Sequence, residues 1–242
     1  MMNKTSSTLD TILSHRSIRK FTPKKISTDI LEQLINAARC ASTSNNLQCI
    51  SIIRITDETL REQIMACASN QQYIKDAAEF FVFCVDFHKH QQICPESQLD
   101  YTEVLLIGAV DAGIMAQNVL VAAESLGLGG VYIGALRNEI EKVSELLKLP
   151  AHSFPVFGLC LGYPAQDPPL KPRLPKTLMC FENTYQALQE PILAEYNQQV
   201  QEYYQQRSKI DMDWTRNIEK TLAKPVRPHI LPFLQKQGFI KK

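Results

Sequence analysis

The chain has 242 residues, 45% apolar and 21% charged, the balance of a globular protein with a substantial core rather than of a disordered segment. Twenty-six basic side chains stand against 25 acidic ones, a net charge of +1, which argues against a nucleic-acid binder. Seven widely spaced cysteines contain no Cys-x-x-Cys pair and residues 1–10 are polar with no apolar signal run, so reduced thiols and a soluble, cytoplasmic protein are expected.

Residues 6–14 read as a short helix leading into His15-Arg16-Ser17-Ile18-Arg19-Lys20-Phe21. Three cations, an imidazole and a hydroxyl within six residues suit a phosphate, because Arg supplies forked donors and Ser a small hydroxyl. In an extended segment His15, Ser17 and Arg19 face one way, while Ile18 on the other side can anchor in the core. The plainer alternative is a solvated basic turn. Ser27 or Thr28 caps a helix to about residue 40, with Ile30, Leu31, Leu34, Ile35 and Ala38 at helical spacing. Ser42-Thr43-Ser44-Asn45-Asn46 breaks it and presents hydroxyls and amides without bulk, as the polar edge of a flat ligand needs, or as an ordinary linker does.

Residues 49–56 and 79–87 read as buried strands, with a helix at 60–68 and a shorter helical piece after Gln71 between them. His88, His90 and Cys94 match no metal-site spacing, so no metal is expected. Residues 101–126 form the longest helix candidate, apolar nearly all round and therefore a core helix or a subunit interface. Asp111, Asn118 and Glu124 interrupt it and make it unsuited to lipid, so no membrane partner is expected. Gly127 is a helix C-cap. The glycines that follow lie after a helix and before the strand at 131–133, the reverse of a dinucleotide-binding fingerprint. Gly134 ends that strand and lets a flat ring approach the backbone.

A helix at 138–147 and a strand at 154–162 come next. Then five prolines between residues 164 and 175 stiffen a segment that holds Lys171 and Arg173 on one side; such rods also serve as linkers or as ligands of other domains. Residues 177–182 are a candidate fifth strand, 185–207 a polar helix, 208–213 a loop and 218–224 a last helix. Residues 225–238 carry Arg227. Four or five strands among helices give one α+β unit.

Taken together, HRSIRKFT (15–22), LQCISIIRITD (47–57), QNVLVAAESLGLGGVYIGALRN (117–138), FGLCLGYPAQDPPLKPRLP (157–175) and RPHILPFLQKQGF (227–239) resemble the FMN-dependent nitroreductase and flavin reductase superfamily, nearest its oxygen-insensitive, NADPH-preferring enteric members. The resemblance implies a mostly antiparallel four- to five-stranded sheet flanked by helices. It implies a single domain over 1–242, in which 177–242 forms an extension embracing the partner of a homodimer. It further implies FMN contacts from His15, Arg16, Ser17 and Arg19, from Ser42, Thr43, Ser44 and Asn45, from Gln71, and from Tyr132, Ile133, Gly134 and Ala135. Lys171 and Arg173 join them, with Arg19 and Arg173 on the phosphate and Lys171 as electrostatic support beside the ring. Arg207 and Arg227 are implied to recognise NADPH. The implied reaction is ping-pong: hydride passes from NADPH to N5 of FMN and then to nitroaromatics or quinones, with no catalytic side chain. Alternatives within reach are an NADPH-flavin reductase supplying a partner and a non-catalytic flavin-binding protein. Two departures stand out: Asn46 occupies a position often aromatic in relatives, and Asp211 and Asp213 make the 208–213 loop short and acidic.

Overall fold

Four segments rich in β-branched and aromatic residues pair into one sheet in a computed structural model that describes residues 7–242. Strands β1 (Ile50–Arg54), β2 (Glu79–Asp86), β3 (Gly129–Ile133) and β4 (Ser153–Gly162) lie in the order β1-β2-β4-β3, every pair antiparallel. Pro155 sits in a central strand without breaking it, because it faces Cys84 where the β2–β4 register shifts between Phe83 and Cys84.

Both faces of β2 are covered. Phe81, Phe83 and Val85 point into one core with Leu34 and Ala38 of α2 (Thr28–Arg39), with Ala112, Ala116, Val119 and Leu120 of α6 (Thr102–Ser125), and with Phe233 and Phe239. Phe80, Val82 and Cys84 alternate onto the other face, against Ile64 of α3 (Glu58–Cys67), Ile74 of α4 (Tyr73–Asp76) and Leu136. The remaining helices are α1 (Thr8–Leu13), α5 (His88–Ile93), α7 (Ile140–Leu146), α8 (Glu190–Ser208), α9 (Trp214–Leu222) and α10 (Ile230–Lys236). Side-chain caps start four of the helices: Ser7, Ser27, Asp57 and Asp213 accept from the amides of Asp10, Ile30, Leu60 and Arg216.

Helix α6 is the spine. By length and composition it is apolar enough to cross a membrane, yet Gly108, Asp111, Ala112, Ala116, Val119, Leu120 and Ala123 are buried in the protein. Its Leu106, Val110 and Ile114 are exposed and recur every four residues, one stripe on the helix surface.

The chain divides into two compact units, one running to Asp167 and resuming at Arg227–Lys242, the other Pro168–Val226. The second unit has its own small core. Tyr196, Val200 and Tyr203 are its buried residues, Tyr196 meets Trp214 edge-on at 5.6 Å, and Asn197 exchanges hydrogen bonds with Thr215 through its amide nitrogen (2.8 Å) and oxygen (3.1 Å).

Several boundaries differ from expectation. Residues 177–182 form no strand: Lys176–Leu178 is a 3-10 turn, and with no neighbouring strand in this chain to complete a ladder the sheet stays at four. Helix α8 begins at Glu190 rather than 185, because Pro191 belongs in a first turn, where its missing N–H is not needed. Helix α9 starts at Trp214, set by the Asp213 cap. The 138–147 helix resolves into a 3-10 turn, Gly134–Glu139, followed by α7. Of the helix expected at 6–14, residue 6 lies outside the described residues.

Candidate functional site

In the first unit the basic stretch is extended against the sheet. Ile18 N–H donates to Gly130 O at 2.9 Å, Thr22 N–H to Tyr163 O at 2.9 Å, and Lys20 O accepts from Ala165 N at 2.9 Å. Ile18 is 4% exposed and anchors the segment, while Arg19 and Lys20 are exposed and His15, Arg16 and Ser17 half-buried. Gly129 permits this docking: a Cβ there would lie 2.5 Å from Ile18 Cγ1. Half-buried His15 places Nδ1 2.6 Å from Glu124 Oε1 on α6. Arg16 pairs with Asp167 (2.5 Å) and bonds Ser14 O (3.2 Å).

The 42–46 loop contains a 3-10 turn, Ser44–Asn46, whose first N–H donates to Asp111 Oδ1 at 3.1 Å. Asn45, Asn46 and Gln48 are all left-handed, with φ of 48°, 56° and 53°. Ser42 and Asn45 are exposed, Thr43 and Ser44 half-buried. Gln71 sits half-buried between α3 and α4, its carbonyl accepting from Ile74 N at 2.9 Å.

At the end of β3, the Tyr132 hydroxyl donates to Gln117 Oε1 of α6 at 3.3 Å, and its ring stands edge-on to Phe157. Burial, with the Glu124 charge second, pushes its phenol well above the ordinary range. Ile133 is buried, and Gly134 and Ala135 open the following turn half-buried. That turn also receives Arg227, whose Nε donates to Asn138 Oδ1 at 2.8 Å while Asn138 Nδ2 donates to Ser69 Oγ at 2.9 Å. The neighbouring Arg137 bonds Val156 O, and burial, then Arg227, lowers its pKa from the usual arginine value.

In the second unit, Lys171 Nζ donates to Tyr204 Oη at 2.7 Å and lies over that ring. Arg207 Nη1 donates to Tyr203 Oη at 2.6 Å. Arg216 holds Asp211 (2.9 Å) and Asp213 (2.6 Å), and its guanidinium, with Gln201 second, draws the Asp211 carboxyl down to about 2. The acidic loop is therefore offset by a local cation.

Of the ten arginines in the chain, two, Arg19 and Arg173, make no hydrogen bond or ion pair with the described residues. These are the two that the sequence resemblance assigns to a phosphate. In the sequence Asp111 and Glu124 are merely breaks in an apolar helix and nothing marks Gln117; in the structure each anchors a candidate segment, Asp111 the 42–46 loop, Gln117 Tyr132, and Glu124 His15. His88 and His90 fall on α5, where His90 Nε2 lies 2.7 Å from Leu47 O, and no metal-ligand cluster of three occurs among the described residues.

Residues 12–163 match the Nitroreductase family and 171–242 its C-terminal domain. The chain is 54% identical to an oxygen-insensitive NADPH nitroreductase of Salmonella typhimurium, covering 97% of this chain and 98% of that one. It is 48% identical to an NADPH-flavin oxidoreductase of Vibrio harveyi, covering 98% and 100%. The crystal structure of nitroreductase A from Vibrio parahaemolyticus superposes with a TM-score of 0.95 at 50% identity, covering 98% and 99% of the two chains. The chain belongs to the nitroreductase family.

Proposed function

We propose that this protein is an FMN-dependent oxidoreductase that takes reducing equivalents from NADPH and passes them in pairs to nitroaromatic and quinone acceptors. The observation that carries the reading is that Arg19 and Arg173 make no hydrogen bond or ion pair with the described residues. An unpaired guanidinium beside a hydroxyl and an imidazole fits a phosphomonoester, which accepts forked donors. FMN supplies hydride acceptance from the nicotinamide and hydride donation to the acceptor.

The protein's residues bind and orient. In the first unit Ser17 and Arg19 hold the phosphate, with His15 fixed by Glu124 and Arg16 by Asp167. Ser42, Thr43, Ser44 and Asn45, with Gln71, supply polar contacts to the ring edges. The backbone of Tyr132, Ile133, Gly134 and Ala135 lies against the ring. In the second unit Arg173 serves the phosphate. Lys171, steadied by Tyr204, places a positive charge that favours negative charge on the ring. Arg207 and Arg227 recognise the NADPH 2′-phosphate.

The acting species is a homodimer. Asp111 and Glu124, the anchors of the 42–46 loop and of His15, are thirteen residues apart on α6, roughly 20 Å at about 1.5 Å per residue. A flavin ring shorter than that length meets the 42–46 loop of one copy and the His15 segment of the other when a second copy runs antiparallel along α6, with Asp111 and Glu124 standing behind those segments. The exposed stripe of Leu106, Val110 and Ile114, with Leu9 and Leu13 on α1, supports such an interface. The chain serves as one nitroreductase-like functional domain in which 177–242 carries the part that embraces the partner, while its Phe233 and Phe239 pack in the first unit's own core. Seven free thiols suit a cytoplasmic setting.

The test is the visible spectrum of the purified protein, followed by anaerobic NADPH. Flavin bands that bleach directly to the fully reduced form support the enzyme; flavin that stays oxidised leaves a binding protein; no flavin after reconstitution overturns the reading. A second reading, a flavin reductase serving a partner, is favoured by relatives named NADPH-flavin oxidoreductase and FMN reductase (NADPH), 48% and 37% identical. Faster turnover of free FMN than of a nitrofuran would select it.

A further inference from the structure

Asp111 is 2% exposed and lies halfway along the most apolar helix of the protein. A buried carboxylate needs partners to offset its lost hydration, and no cation pairs with it among the described residues. Two donors from one connection satisfy it instead. The backbone N–H of Ser44 reaches Oδ1 at 3.1 Å, and the Cys49 thiol reaches Oδ2 at 3.6 Å. Burial, then the Asp111 charge, pushes that thiol up to about 12, so it keeps the proton it donates. One side chain of α6 thus ties down both ends of the stretch from Ser44 to Cys49.

Between those ends the backbone is strained. Asn45, Asn46 and Gln48 all adopt left-handed φ; asparagine tolerates this and glutamine does so poorly. Within the connection itself, the Gln48–Asn46 side-chain bond (3.2 Å) and the Leu47 N–H on Ser44 O (2.9 Å) are local, and His90 Nε2, 2.7 Å from Leu47 O, restrains the turn only beyond its last residue. The long-range restraint at the turn's first residue is Asp111, 67 positions away in sequence.

We propose that Asp111 is a positioning residue for the flavin: it holds the 42–46 turn in the conformation in which Ser42, Thr43, Ser44 and Asn45 meet the ring, without touching the ring itself. The proposal rests on the flavin reading above. It accounts for a carboxylate where an apolar residue of similar size would pack with no desolvation cost.

The test compares wild type, Asp111→Asn and Asp111→Ala as full-length protein, by FMN fluorescence titration, the visible spectrum of bound flavin and thermal unfolding. Asparagine keeps an oxygen for the Ser44 N–H; alanine keeps none. Expected are an FMN dissociation constant raised tenfold or more in Asp111→Ala, with the flavin band displaced toward that of free FMN, and recovery of most affinity and of the band position in Asp111→Asn. If alanine yields no folded protein, Asp111→Ser replaces it with the same expected loss. Wild-type affinity and spectrum in the alanine or serine variant, with only a lower unfolding temperature, overturn the proposal and leave Asp111 a core residue. Failure of the wild type itself to bind FMN overturns the flavin reading, and the proposal with it.

Discussion

His15 Nδ1 lies 2.6 Å from Glu124 Oε1, joining the basic segment to the last turn of α6 across 109 residues of sequence. Since a carboxylate only accepts, Nδ1 carries the hydrogen and Nε2 is left for another partner. The second oxygen, Glu124 Oε2, is buried with no partner among the described residues. Glu124→Gln removes the charge that orients the ring, and FMN affinity is expected to fall severalfold. Arg19→Ala, which deletes a charge-assisted bond of about 1.5–3 kcal/mol, is expected to weaken it by roughly ten- to hundredfold. Flavin fluorescence titration measures both. Equal affinity of Glu124→Gln and wild type would show that the imidazole is held by other means.

Gly129 leaves room for the basic segment to pack closely on the sheet. A methyl group there would stand 2.5 Å from Ile18 Cγ1 and 3.2 Å from Pro164 Cγ, so the 15–20 segment has to move. Gly129→Ala is expected to cost about 1–3 kcal/mol of stability, the range for overpacking a filled site. It is also expected to lower FMN affinity, because Ser17 and Arg19 ride on the displaced segment. Urea unfolding and flavin titration on one preparation check both parts; a stability loss with unchanged flavin affinity would detach Ile18 packing from the phosphate site.

The local signals carried far in this chain. Ser27 and Asp57 cap helices because a short acceptor precedes an amphipathic run, and Ile18 is buried while Arg19 projects because an extended segment alternates. What local pattern does not contain is the partner. Asp111 and Glu124 look like flaws in an apolar helix until the fold brings Ser44 and His15 to them, 67 and 109 residues away. The polar stretch at 185–189 has helical composition, but Pro191 decides where α8 begins. Residues 177–182 have strand composition, and a strand without a neighbour in its own chain does not form.

On the proposed function, Arg207 and the acidic loop are expected to set the preference between the two nicotinamide donors. Asp211 and Asp213 are both held by Arg216, so their charges are locally offset. Arg207→Ala is expected to raise KM for NADPH far more than for NADH, since only NADPH carries the 2′-phosphate. Arg216→Ala leaves two carboxylates a few residues from Arg207 without their cation and is expected to shift KM in the same direction by a smaller factor, shrinking as salt is added. Steady-state kinetics with both donors at two ionic strengths separates these effects. Equal changes for both donors in Arg207→Ala would remove it from the 2′-phosphate.

The C-terminal segment carries a titratable clasp. His152 N–H donates to Gln237 O at 2.8 Å, and its carbonyl accepts from Phe87 N at 2.9 Å. Its ring stands edge-on to Phe239 at 6.2 Å, and Gly238 (φ +98°) packs so close that a Cβ would lie 2.5 Å from imidazole Cε1. Burial, with Lys241 and His88 after it, lowers the pKa of this histidine below its ordinary value of 6.5. Nδ1 is buried with no partner among the described residues, so a proton placed there finds no acceptor among them. Below that ordinary value the unfolded chain takes up a proton that the native chain refuses, and stability falls with pH until the native pKa is passed. Above about pH 7 the contribution is flat, and inside the window its slope reaches at most about 1.4 kcal/mol per pH unit. His152→Gln abolishes this titration, so the variant is expected to lose less stability than wild type between pH 7 and the acid side of the window. Parallel stability–pH curves from urea unfolding would show instead that the imidazole titrates alike in both states.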